Sequence, residues 1–184
     1  MAGEVRGNGG YRNYDAVMGY AESIVSGEKT ACVELKQAAE RFFRDVQNPL
    51  YDFRPASAEF VIQIIENTIV HVKGTKTGKP FLLEPWEKFI CYNIAGFFLA
   101  GTEERRFKEV FIFIPRKNGK TPFASSLVWA LSLLDRRTAS SAYIIANRLD
   151  RALESFDFIV KNLRYMGEID EFHILDSNAE HSIS

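Results

Sequence analysis

The sequence predicts an α/β fold in which a parallel sheet follows an N-terminal helical region. Three observations carry this reading. The first eighty residues show helical apolar spacing three times over. Two later runs, Val110–Ile114 (VFIFI) and Ala142–Ala146 (AYIIA), are continuously apolar and rich in β-branched and aromatic residues, as strands buried on both faces are. These runs alternate with long helical segments in the order β-loop-α-β-α-β, which implies parallel pairing through right-handed crossovers. Three strands make a small sheet, so the chain is expected to be part of a larger unit.

In order, residues 1–12 read as a loose tail, polar and Gly-rich. Tyr14–Ser26 has Val17, Tyr20, Ala21, Ile24 and Val25 on one side, and Gly27 is a plausible stop. Ala31–Val46 is a second helix with Val33, Leu35, Ala38, Ala39, Phe42 and Phe43 inward, ended by Asn48-Pro49. Ser57 caps a third, whose apolar side is Phe60, Ile62, Ile64, Ile65 and Ile69. Lys73–Lys79 (KGTKTGK) is a basic loop; it contains Gly78-Lys79, but Pro80 follows and no strand precedes it, so it makes a poor phosphate loop. Pro85 opens a helix over Trp86–Leu99, stopped by Gly101 and the charged turn Thr102–Lys108. After the strand Val110–Ile114 come a loop and a helix from Thr121 to Leu134. A turn at Asp135-Arg136-Arg137, the strand Ala142–Ala146, a helix Leu149–Tyr165 and a short strand Phe172–Leu175 complete the chain.

With 184 residues, the chain has room for one domain, or one domain with an appendage. Hydrophobic residues make up 46%, and 15 Phe and 7 Tyr argue against disorder. A net charge of −1 excludes global attraction to nucleic acid and leaves only local patches. Lys73, Lys76, Lys79, Arg105, Arg106 and Lys108 are the basic residues placed to touch DNA phosphates; solvation is the competing explanation. Cys32 and Cys91 fit reduced thiols better than a disulfide framework. His71, His173 and His181 show no metal-ligand spacing with them. The longest apolar stretch, Phe89–Ala100, is too short to span a bilayer and is interrupted by Asn93. With no signal peptide visible, the expectation is a soluble, intracellular protein without membrane contact.

The segment between Ile114 and the following helix reads Pro115-Arg116-Lys117-Asn118-Gly119-Lys120-Thr121. A phosphate loop works because backbone N–H groups and a helix N-terminus converge on an anion. In that role Lys120 reaches the β and γ phosphates of ATP, Thr121 holds Mg²⁺ through its hydroxyl, and Gly119 lets the backbone approach closely. The strand-loop-helix order is the context the motif requires. The usual first glycine is missing, and Ile114 stands in its place. The competing reading of RKNGK is a solvated basic turn.

A second element is Leu82–Ile90 (LLEPWEKFI). An aromatic beside a polar side chain before a helix can clamp and read an adenine ring. On the residues alone the better reading is that Trp86 and Phe89 belong to the core and Glu87 is a helix-start charge near the positive end of the dipole.

These two elements together, at this spacing, resemble the large terminase subunit of tailed bacteriophages. Val17–Asp45 (VMGYAESIVSGEKTACVELKQAAERFFRD) is similar to the family's opening, with Ser-Gly-Glu before a helix containing Arg41. Glu104–Thr121 (ERRFKEVFIFIPRKNGKT) is the most specific stretch, since the family's loop lacks the first glycine and carries an arginine there. The resemblance implies a partial RecA-like P-loop core (Walker A) belonging to a hydrolase, a motor that uses ATP and Mg²⁺ to drive viral double-stranded DNA into a procapsid. Implied partners are that DNA, the small terminase subunit and the portal; the implied location is the cytoplasm of the bacterial host. Lys117, Asn118, Gly119, Lys120 and Thr121 match the loop, Arg116 matches an arginine that senses or stabilises the γ-phosphate, and Pro85-Trp86-Glu87 matches an adenine motif that usually ends in glutamine. A glutamine both donates and accepts, whereas a carboxylate only accepts. Asn147–Ala152 (NRLDRA) also looks family-like, with Arg151 where a glutamine is expected.

The resemblance also implies a strand ending in Asp-Glu, to hold Mg²⁺ and orient water. No apolar run downstream of Thr121 ends that way; Ile169-Asp170-Glu171 reads as an acidic surface turn. The expected organisation is therefore an N-terminal helical region over 1–80 and the first part of an ATPase core over 81–184. That core ends before the acidic (Walker B-like) strand, and the nuclease domain is absent. The chain is expected to bind ATP as part of a packaging motor. The alternative is a truncated, inactive prophage remnant that serves only as a binding module, and enzymatic activity is left open between the two.

Overall fold

The computed structural model describes residues 10–134, 141–177 and 180–184. The tail over 1–9 and the turn at 135–137 lie outside the described residues. The described chain forms two compact units, Met1–Ile62 with Leu83–Phe111, and Gln63–Leu82 with Ile112–Ser184.

The first unit is built on α1 (Tyr14–Val25), α2 (Val33–Val46), the start of α3 (Pro55–Thr68) and α4 (Pro85–Gly96). The apolar stripes predicted for α1 and α2 are the faces that pack: Val17, Ala21 and Ile24 are buried on α1, and Ala39 and Phe42 on α2. Val33, expected inward, is exposed, because it is the first helical residue and lies ahead of the stripe. α3 starts at Pro55, two residues before the expected cap Ser57, since a proline's missing N–H costs nothing in a first turn. Phe42 is the centre of an aromatic cluster, with ring centroids 5.7 Å from Phe53, 5.4 Å from Phe89 and 5.6 Å from Phe97. Each such ring removed from water contributes about 1.5–3 kcal/mol.

Two three-residue strands close this unit. β1 (Tyr51–Phe53) pairs antiparallel with β2 (Phe97–Leu99), Tyr51 opposite Leu99 and Phe53 opposite Phe97. The helix expected over Trp86–Leu99 therefore stops at Gly96, where the chain turns extended at Phe97. Gly96 packs close to the Phe53 ring: a Cβ there would sit 3.4 Å from the ring, in van der Waals contact. Buried polar groups tie the helices together. Glu59 accepts hydrogen bonds from the Tyr92 hydroxyl at 2.6 Å and from the Asn13 backbone N–H at 2.8 Å. Lys88 Nζ donates to Asn13 Oδ1 at 2.7 Å. The Arg106 guanidinium forms an ion pair with buried Asp45 and lies over the rings of Tyr51 and Phe107.

The second unit holds the end of α3, a hairpin over 70–80, α5 (Lys120–Leu134), α6 (Leu149–Met166), a 3-10 turn (Ile169–Glu171) and the antiparallel pair β3 (Ile174–Asp176) and β4 (His181–Ile183). Phe123, Leu127 and Ala130 on α5 and Phe156, Ile159, Val160 and Leu163 on α6 are buried. Ser125, Ser126 and Ser132 interrupt the α5 surface, but their hydroxyls bond back to the carbonyls of Thr121, Pro122 and Trp129. Gly167, in the left-handed region with φ 77°, ends α6. The short strand expected over 172–175 is β3.

The fold is α/β, with small antiparallel sheets. Residues 110–114 and 142–146 carry strand residue types but no ladder among the described residues. A parallel strand exists only through hydrogen bonds to neighbours; Val110, Phe111 and Phe113 of the first segment and all of 142–146 are exposed.

Candidate functional site: a cationic loop at the start of α5

Residues 115–121 join the extended segment ending at Ile114 to α5, whose first residue is Lys120. Two residues take left-handed backbone angles, Lys117 at φ 68° and Gly119 at φ 71°. Among the described residues Lys117 is the only non-glycine residue with positive φ. Such an angle costs a non-glycine residue of order 1 kcal/mol or more. The Asn118 amide donates to the carbonyls of Pro115 and Arg116 at 3.3 and 3.4 Å, which holds the loop in a tight turn. A Cβ on Gly119 would meet nothing within 4 Å, so the glycine serves the backbone angle and leaves its surface open. The helix is under way by Phe123, whose N–H donates to Gly119 O at 3.0 Å. Pro122 fits because it lies in the first turn, where N–H groups have no helical acceptor.

Electrostatically the loop is unbalanced. Arg116, Lys117 and Lys120 are exposed, and α5 has no acidic residue in its first turn. Cations at a helix N-terminus oppose the helix dipole, whose positive end favours anions. The turn thus gathers three cations, a helix start and unpaired N–H groups at one point.

Thr121 faces a small cleft of about 80 Å³, lined also by Lys73 from the 70–80 hairpin and by Glu154, Asp157, Phe158 and Lys161 of α6. No local pattern reports that α6 borders Thr121, because the contact joins residues more than thirty positions apart. Glu154 and Asp157 both have cations near them, Lys73 and Lys161, each at 4.0 Å.

Pro85, Trp86 and Glu87 lie in the first unit, and the cationic loop falls in the second. Glu84 caps α4, Pro85 is its first residue, and Glu87 turns back so that Oε2 accepts the Glu84 backbone N–H at 2.8 Å. Glu87 is only 4% exposed. Burial pushes its carboxyl up to about 7, and the Glu84 charge adds to the rise while the hydrogen bond from the Glu84 backbone opposes it. Trp86 is half-buried and Phe89 is buried. In the NRLDRA stretch, Arg148 pairs with Asp150 at 2.9 Å and Arg151 is exposed at the start of α6. Asp170 and Glu171 are exposed in the 3-10 turn, an acidic surface turn as expected. His181 Nδ1 lies 2.8 Å from Asp176 Oδ1. Among the described residues no group of three or more His, Cys, Asp and Glu side chains could hold a metal, and no helix is long and apolar enough to cross a membrane.

The family model for the terminase large subunit, ATPase domain, matches residues 85–183. The match begins at the first residue of α4 and takes in the cationic loop, α5 and α6. No curated protein and no solved structure matches the chain.

Proposed function

Because this chain belongs to the family of terminase large-subunit ATPase domains, we propose that residues 115–121 are its nucleotide phosphate-binding loop and that the chain is the ATP-binding portion of a viral DNA-packaging motor. The family carries the use of nucleotide and the connection to DNA packaging. The single observation that supports this loop as the site is its charge: three exposed cations lie at a helix N-terminus whose first turn holds no acidic residue, and none of the three forms an ion pair among the described residues. That arrangement is unfavourable in the free protein and favourable around a polyphosphate.

In this reading Lys120 contacts the β and γ phosphates, backbone N–H groups around Gly119 line them, and Arg116 approaches the γ-phosphate. Asn118 keeps the turn closed. The donor set fits ATP with Mg²⁺: Thr121 supplies a hydroxyl, a hard oxygen ligand of the kind Mg²⁺ takes. Bound Mg²⁺ supplies charge neutralisation between the phosphates. Pro85-Trp86-Glu87 stays in this reading only as the family's adenine motif; Glu87 closes the start of its own helix by accepting the Glu84 N–H. The parallel RecA-like sheet, the portal, the small subunit and the host cytoplasm belong to the same reading. Calorimetric titration of ATP with Mg²⁺ tests it: saturable binding is expected, and binding that is unchanged when Arg116, Lys117 and Lys120 are all replaced by Gln would overturn it.

A further inference from the structure

The basic residues of this chain divide into two kinds once their partners are known. In the first unit, Arg106 is occupied by buried Asp45, Lys108 by Glu104, and Arg105 also has a partner. In the second unit, Lys76 and Lys79 form no ion pair among the described residues, and Lys73 has only Glu154 at 4.0 Å, with side chains 70% and 42% exposed. Pairs that loose and wet are worth little. From Asn67 through Leu83 the sequence has no acidic residue.

These lysines stand on a built hairpin. Val70 and Pro80 form a bridge, the His71 N–H donates to Lys79 O at 3.0 Å, and the Gly78 N–H donates to His71 O at 2.8 Å. The tip closes with Thr77 N–H to Gly74 O at 3.2 Å. The hairpin is pinned twice to α6: the Val70 N–H donates to Asn162 Oδ1 at 2.8 Å, and the Tyr165 hydroxyl donates to Gly78 O at 3.1 Å. Gly78, at φ 80°, lets that ring approach. Three lysines, three residues apart, two without an ion pair among the described residues and one loosely paired, are thus held on a fixed scaffold.

We infer that the 70–80 hairpin is a contact surface for the sugar-phosphate backbone of duplex DNA, gripped through Lys73, Lys76 and Lys79. The inference rests on the packaging reading above and adds to it the element that touches DNA. Residue types in the hairpin choose the partner. It has no Arg, Asn or Gln to form planar bidentate pairs with base edges, and its lysines are flexible point charges that suit phosphates, so contact is expected to be largely independent of sequence. Its tip has no aromatic ring on which unpaired bases could stack; His71 and Phe81 sit at the root, with ring centroids 5.0 Å apart. Point charges, hydroxyls and glycines fit phosphates on a duplex. The net charge of −1 makes such a local patch necessary for any electrostatic grip.

The test is fluorescence anisotropy of a labelled mixed-sequence duplex with the whole chain, without nucleotide, over a series of salt concentrations. Replacing Lys73, Lys76 and Lys79 with Gln is expected to weaken binding and to lower the log–log salt slope by about 2.7, at about 0.9 per phosphate contact. A control that removes the same charge elsewhere, Lys29, Lys36 and Lys108 to Gln, should leave the slope unchanged. Tyr165→Phe keeps every charge and removes one of the hairpin's two pins to α6, so it should weaken binding modestly without changing the slope. ATP affinity of a Lys76/Lys79 double Gln variant, which leaves Lys73 in place beside Thr121, should match the parent while its salt slope falls by about 1.8, which separates failure of this inference from failure of the phosphate-loop assignment. No duplex binding at low salt, an equal slope loss in the control, or tighter binding to single strands would each overturn it.

Discussion

Lys120→Ala separates what the phosphate loop does for binding from what it does for stability. Lys120 is exposed, begins α5 and makes no ion pair among the described residues. Its removal therefore deprives the free protein of nothing. It also takes a positive charge away from the positive end of a helix, worth about 0.3–1 kcal/mol at low ionic strength. For a chain of this size that is a rise in Tm of about 1–4 °C. In the complex, the same ammonium makes a charge-assisted contact to phosphate worth about 1.5–3 kcal/mol, so ATP affinity should fall roughly 10- to 100-fold. The measurements are calorimetric titration with ATP and Mg²⁺ and a thermal melt of each free protein at low salt. Opposite signs are the signature of a residue kept for a ligand. Equal ATP affinities would remove Lys120 from the site, and a lower Tm of the free variant would mean that the lysine has a structural partner and the electrostatic argument is wrong.

Glu87 gives a pH dependence. Its carboxyl, raised to about 7 from 4.5, stays protonated in the fold where the unfolded chain has already lost its proton, so stability falls as pH rises from about 4.5 to about 7 and levels off above. Glu87→Gln, which preserves the acceptor for the Glu84 N–H, should flatten that decline in Tm; parallel curves for the two proteins would refute the assignment. Asp45→Asn breaks the buried pair with Arg106 and should cost about 3 kcal/mol, read by urea denaturation, and a loss under about 1 kcal/mol would show that solvent relieves the arginine. Gly119→Ala forces a Cβ onto φ 71° with no clash, so it should cost about 1 kcal/mol, and an unchanged Tm would mean that the loop relaxes freely. No apolar run after Thr121 in these 184 residues ends in Asp-Glu, the pair that holds Mg²⁺ and orients water, so a phosphate-release assay is expected to read no turnover above the Lys120→Ala background; turnover that vanishes in Lys120→Ala would point back to Asp170 and Glu171.

Helices with a strong stripe were readable before the fold was known. α1, α2, α5 and α6 lie within one or two residues of their expected bounds, because local spacing, and for α1 the stop signal Gly27, settles them. The β1–β2 pair was not readable. Three residues are too few to show a period of two, and Phe97–Leu99 continues the apolar spacing of α4. For 110–114 and 142–146 the residue types predict strands, yet a ladder depends on what lies alongside, which composition does not specify. The loop itself was legible as strand-like run, turn and helix. Legible too were the two residues that frame α4, Glu84 and Glu87, spaced as a capping box, although the resemblance drew attention to adenine instead. Asp45 with Arg106, and Thr121 beside α6, join positions far apart in sequence, and no local pattern reports such partners.

The two units are each discontinuous, and this limits how the chain can be taken apart. The polypeptide passes from one unit to the other after Ile62, returns at Leu83 and leaves again after Phe111. No single cut isolates either unit whole. A truncation after Phe111 would retain the 63–82 excursion but strip it of α6, leaving the Val70 N–H without Asn162 and Gly78 without Tyr165. A truncation that starts at Ile112 would keep α5 and α6 and lose the excursion that covers Asn162, a residue 1% exposed. Deletion series and limited proteolysis should therefore give few stable fragments. A split version that works will be one in which residues 63–82 are joined to the later segment by a new covalent linker in place of 83–111, rather than one made by shortening from either end.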